Sequence, residues 1–82
     1  MFKAILSLES AQELRAFFTD LCTPAELEAM TDRWSVVAPL EEGRPYREIS
    51  QQTGVSVTTV GRVARALRGD GGYRLAVNRL AN

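Results

Sequence analysis

Residues 46–67, YREISQQTGVSVTTVGRVARAL, most constrain what this chain can fold into, because they have the spacing of two short helices meeting at a tight turn. The spacing predicts Pro45 as the first helical residue, with residues 46–52 making about two turns and Ile49 facing inward. Gly54 ends that helix, since glycine tolerates the left-handed conformation there and lets Val55 drop back onto the apolar face. Ser56 then acts as an N-cap, and Val57, Val60, Val63, Ala64 and Leu67 follow at helical spacing. Ile49, Val55, Val60 and Val63 would lock the two helices at a steep angle, with small Ser50 allowing close approach. This is the order of a helix-turn-helix, whose second helix enters the DNA major groove and reads bases with its first residues. Those residues are Ser56, Thr58, Thr59, Gly61, Arg62 and Arg65, whose hydroxyls and guanidinium groups suit base edges and phosphates. The competing reading, a plain helical hairpin with a solvated Thr/Arg face, does not account for a glycine turn, an inward valine set and a basic outer face occurring together.

Eighty-two residues make one domain (1–82), and so short a chain has little interior of its own, which points to a second chain supplying more. With one cysteine and no histidine, a disulfide framework, a His/Cys zinc site and a histidine-based triad are excluded within one chain, and no metal or cofactor is expected. Cys22 reads as a small buried residue. No apolar run approaches membrane-spanning length and the opening MFKAILSLES is too soon polar for a secretory signal, so a cytoplasmic location is expected. The formal net charge is zero, but the halves differ. Residues 1–42 carry three basic and eight acidic side chains, whereas residues 43–82 carry seven arginines against Glu48 and Asp70. The basic charge thus lies with the motif, where phosphate binding needs it, and acidic charge beyond a Debye length of about 8 Å is felt weakly.

Before the motif, residues 1–8 are apolar enough for an arm or a helical turn. Ser10 and Glu13 are spaced as a capping box, and Leu14, Phe17, Phe18 and Leu21 then form an apolar stripe suited to a partner subunit as well as to this chain. Thr23-Pro24-Ala25-Glu26 starts another helix. Leu27, Met30, Trp34 and Val37 carry it to about Ala38, where Pro39 should kink or end it. Trp34 is expected to anchor the interior and the contact between chains. After the motif, residues 68–72 read as a loop with Asp70 as a cap, not as a phosphate cradle, and residues 73–80 as a last short helix. The division expected is a dimerisation part (1–42), the helix-turn-helix (43–68) and a C-terminal loop and helix (69–82), all-helical throughout.

Taken with its flanks, the series TPAELEAMTDRW, YREISQQTGVSVTTVGRVARAL and GDGGYRLA resembles the tryptophan repressor superfamily, closest to its YerC/YecD-like branch. The resemblance spans about residues 23–80. It implies an all-helical fold in which two chains intertwine through their N-terminal helices and present paired helix-turn-helix units to a two-fold operator. It places DNA-facing positions at Tyr46, Arg47, Ser50, Val57, Thr58 and Gly61. Corepressor-contacting positions are matched in type at Thr23, Arg33, Thr59 and Arg62. Where the repressor has a glycine that makes room for the indole ring, however, this chain has Val63, and overlap of a few heavy atoms there costs about 1–3 kcal/mol. The expectation is therefore a homodimeric, sequence-specific DNA-binding regulator, more in keeping with a repressor, without a tryptophan response. The alternatives are a regulator answering to another small-molecule effector near Arg33 and Arg62, or a protein-interaction module that does not bind DNA. No nucleophile is paired with a base, so an enzyme is not expected.

Overall fold

The computed structural model describes residues 1–81, and no strand occurs among them. Seven helices follow in order: α1 (Phe2–Ser7), α2 (Ala11–Leu21), α3 (Pro24–Ser35), α4 (Val37–Glu41), α5 (Tyr46–Thr53), α6 (Val57–Leu67) and α7 (Gly72–Ala81). The chain divides into two compact units, residues 1–31 and the residues from 32 on.

In the first unit the helix starts are those the sequence specifies. Ser10 Oγ accepts the N–H of Glu13 at 3.1 Å, while the Glu13 carboxylate accepts the N–H of Glu9, one residue ahead of the cap, at 2.8 Å. At α3 the box is reciprocal: Glu26 accepts the Thr23 N–H at 2.8 Å and donates its own N–H to Thr23 Oγ1 at 3.2 Å. The backbone N–H of Thr23, and then its hydroxyl, hold the Glu26 carboxyl below the usual carboxylate range. The apolar stripe on α2 exists, with Leu14, Phe17 and Phe18 half-buried and the two phenylalanine rings edge-on at 5.6 Å. Yet Leu21 is exposed, Phe2 and Leu6 are 78% and 85% exposed, and among the described residues none before Val36 is buried. Cys22 is a free, half-buried thiol closing α2, not the buried residue expected.

The second unit holds the core. Val36, Val37, Ile49, Val55, Val60, Val63 and Leu67 are buried together, with Leu40, Tyr73 and Val77 packed against them. Each such side chain contributes about 1.5–3 kcal/mol on leaving water. Two boundaries differ from those the sequence suggests. The helix expected to reach Ala38 stops at Ser35, and Pro39 lies inside α4. A proline ring clashes with the carbonyl four residues back, which here is Ser35, so the chain breaks at that carbonyl and restarts. As the third residue of α4, Pro39 lacks an N–H that would have had no helical partner. Likewise Pro45 is the N-cap of α5 instead of its first residue, its carbonyl accepting the N–H of Ile49 at 3.1 Å.

The turn of the motif is built as its residues require. Gly54 sits at φ 78°, ψ 0° and donates its N–H to Ser50 O at 2.9 Å. Thr53 stitches the same turn by donating its hydroxyl to Ile49 O at 2.7 Å and accepting the N–H of Val55 at 3.2 Å. Gly54→Ala is expected to lose about 1–2 kcal/mol, the cost of a left-handed L-residue, although nothing lies within 4 Å of the added methyl. A urea midpoint unchanged from wild type would refute it. At the other end, α7 begins one residue earlier than expected. Gly71 takes the capping place assigned to Asp70, its carbonyl accepting the N–H of Leu75 at 3.0 Å. Trp34 is not an interior anchor of this chain: it is 42% exposed and stacks on Tyr73 with centroids 6.2 Å apart.

Candidate nucleic-acid interface

Successive residues of an α-helix are about 100° apart, so burial alone orients α6. Val60, Val63, Ala64 and Leu67 form its buried side. Opposite them stand Thr58, Arg62 and Arg65, all exposed. Ser56 caps the helix by accepting the N–H of Thr59 at 3.2 Å, and its hydroxyl donates to Thr59 Oγ1 at 3.0 Å. Thr59 is thereby held half-buried on one flank of the helix, away from the Thr58–Arg65 face. Val57 and Gly61 lie along the other flank. Val57 is exposed, where the resemblance placed a DNA-facing position, and takes no part in the core formed by the other valines of α6.

The first helix of the motif adds to this surface. Tyr46 and Arg47 are exposed at the start of α5, and Ser50 is half-buried one turn on. The Tyr46 ring reaches across to α6, where its Cε2 lies 3.9 Å from the place a Cβ on Gly61 would occupy. Glycine inside a helix costs about 1 kcal/mol relative to alanine, and here the space would admit the methyl. Core packing therefore does not explain Gly61. Among the described residues no carboxylate lies within 4.0 Å of Arg47, Arg62 or Arg65, so their guanidinium groups stand open to an anion. Such an array can hydrogen-bond phosphate oxygens and base edges.

The positions matched to a corepressor site fall in both units. Val63 is 2% exposed and fully engaged in the core. Thr23 belongs to the first unit, where its hydroxyl caps α3; Arg33 and Arg62 are exposed, and Thr59 is bound to Ser56. The structure has an apolar cleft of about 600 Å³ lined by Trp34, Val37, Val77 and Leu80 with Glu41 and Glu42 at its edge, and a smaller basic one of about 250 Å³. Neither is lined by Arg33, Thr59, Arg62 or Val63. No group of three or more metal-ligating side chains is gathered among the described residues, and none of their helices is long and apolar enough to cross a membrane.

One arrangement had no local signal in the sequence. Arg74 of α7 donates from Nη1 and Nη2 to the two carboxylate oxygens of Glu41 at 3.3 and 2.6 Å, and from Nε and Nη2 to the carbonyl of Leu67 at 3.2 and 3.1 Å. It ties α4 to the last turn of α6 and supplies that turn with a cation where helix carbonyls are left over. The Arg74 hydrogen bonds hold the Glu41 carboxyl below the usual carboxylate range and raise the guanidinium in turn.

Comparison with known proteins agrees with this architecture. The sequence profile of the Trp repressor protein family matches residues 1–81. The uncharacterized protein YerC of Bacillus subtilis (strain 168) is 40% identical over 81 residues, spanning 98% of this chain and 78% of its own. Two crystal structures superpose with a TM-score of 0.87 over 98% of the chain. One is a TrpR-like protein from Eubacterium eligens, 41% identical and covered to 84%; the other is a Trp repressor candidate from Staphylococcus aureus, 37% identical and covered to 81%. With a glycine-turned α5–α6 pair, an outward arginine face and this match over nearly its whole length, the chain belongs to the Trp repressor family.

Proposed function

We propose that the protein is a sequence-specific DNA-binding transcription regulator that works as a homodimer and represses where its operator overlaps a promoter. The observation that carries this reading is the exposed face of α6, where Thr58, Arg62 and Arg65 stand opposite the core, with no carboxylate among the described residues paired to either arginine. Val57, Gly61, Tyr46, Arg47 and Ser50 complete the contact surface, with Ser56 and Thr59 fixing the first turn. Membership of the family, and relatives described as TrpR-like or as a Trp repressor, support a regulator without chemistry of its own. Homodimerisation is supported by the apolar surface left open: Phe2, Leu6 and Leu21 in the first unit, and Trp34 and Leu80 beside the apolar cleft in the second. We assign Leu14, Phe17, Phe18, Leu21 and Trp34 to that interface, within a single functional domain.

Tryptophan is not the effector in this reading. The Val63 isopropyl group is part of the core, and placing an indole there would overpack or displace it. In vitro selection of duplexes from a random pool at near-physiological salt, with and without L-tryptophan, tests both statements. An enriched inverted repeat unaffected by tryptophan is expected. Enrichment only with tryptophan would show that Val63 leaves the site open, and no enrichment would favour a protein-interaction module.

A further inference from the structure

The smaller cleft lies between the α4–α5 connection and the last turn of α6, and three guanidinium groups line it, those of Arg44, Arg68 and Arg74, against one carboxylate, Glu41. Arg74 is already committed to Glu41 and to the Leu67 carbonyl, so this pair forms a neutral, fixed wall. The other two arginines are not committed in that way. Arg44 reaches Glu42 at 3.5 Å, Glu48 at 4.0 Å and Gln52 Oε1 at 3.2 Å, with side chains about half exposed. Ion pairs so long and so wet contribute little and exchange readily for a better anion. Among the described residues no carboxylate lies within 4.0 Å of Arg68. The cleft therefore presents two available cations from different parts of the chain, and arginine forks match tetrahedral phosphate oxygens.

Its position is as informative as its charge. Arg68 follows Val57 and Gly61 on the same flank of α6, seven residues or roughly 10 Å beyond Gly61. Tyr46 joins the two regions, since its ring lies against Gly61 and also lines the cleft. The cleft thus continues the proposed contact surface along this flank toward the C-terminal end of α6. We propose that Arg44 and Arg68 grip a phosphate of the DNA backbone in this cleft, outside the segment read by α6. This rests on the DNA-binding reading above and adds to it a contact that positions the duplex without reading sequence.

The test uses the full chain, the duplex enriched by selection, and affinities measured by fluorescence anisotropy across a series of salt concentrations. Each phosphate contact contributes about 0.9 to the slope of log K against log salt. Arg44→Gln/Arg68→Gln, present in both subunits, is expected to reduce that slope by about 2 and to weaken binding at least tenfold. The loss should be alike for selected and scrambled duplexes, with the enriched sequence and the circular-dichroism melt unchanged. Arg44→Lys/Arg68→Lys should restore most of the slope. A wild-type slope in the Gln pair would overturn the cleft assignment while leaving DNA binding standing, whereas a wild-type protein that binds no duplex would overturn both. A titration of inorganic phosphate without DNA separates the sources: saturation at low millimolar phosphate, lost in the Gln pair, together with an unchanged salt slope, would make the cleft a small-anion site and overturn the backbone contact.

Discussion

Arg62→Ala/Arg65→Ala is expected to weaken binding to the selected duplex by at least about a hundredfold while leaving the helical content and the mass in solution unchanged. Both side chains are exposed on the outer face of α6, and neither takes part in the core that holds α5 against α6. Their removal should therefore cost little in folding, since surface substitutions of this kind fall within about 0.5 kcal/mol. A well-made arginine contact to a base edge is worth about 1–3 kcal/mol in discrimination, and two per chain are lost at once. Selection repeated on the variant should also show relaxed preference at the positions these residues face. Binding within threefold of wild type would mean that this face does not meet DNA, and the surface would then be better read as a site for a protein partner.

The second large effect is expected in the first unit. Phe17→Ser/Phe18→Ser should abolish the proposed homodimer and leave a single 9.1 kDa chain or an unfolded one, as read by light scattering and circular dichroism. The two rings pack edge-on, only half-buried, on a helix with no fully buried residue, beside an exposed Leu21. Removing a fully buried phenylalanine costs about 3–5 kcal/mol, and the penalty reaches that size only if a second chain completes the burial. A well-folded variant of unchanged mass would sink the interface assignment.

How much of this was legible in the sequence follows from how far apart the interacting atoms lie in the chain. Ser10, Thr23, Ser56 and Gly54 each act on backbone within four residues, and each does what its position implies. The inward set Ile49, Val55, Val60, Val63 and Leu67 was legible for the same reason, because helical periodicity fixes a face. Periodicity does not say what covers that face, and for this reason Trp34, in step with Leu27, Met30 and Val37, could be read as interior although it is 42% exposed. The break before Val36 turned on which carbonyl the Pro39 ring meets, a matter of geometry that a residue count places a few positions too late. The Arg74–Glu41 pair joins residues 33 apart, and the convergence of Arg44 with Arg68 likewise depends on the folded path. Arginine spacing alone carries no trace of either. Val57 is in helical step with the buried valines, yet at the first turn of α6 it stands open to solvent, as a DNA-facing position must.

That no described residue before Val36 is buried has a consequence for how such a regulator would behave in a cell. A fold completed by a second copy has a stability that grows with its own abundance, as any equilibrium favouring the associated form by mass action must. Halving expression would then remove more than half of the operator-competent species, because pairs form as the square of chain number when single chains predominate. In a regulator that works as the proposed homodimer, dosage itself would be an input to transcription, with a threshold set by the pairing constant and no small molecule needed to create it.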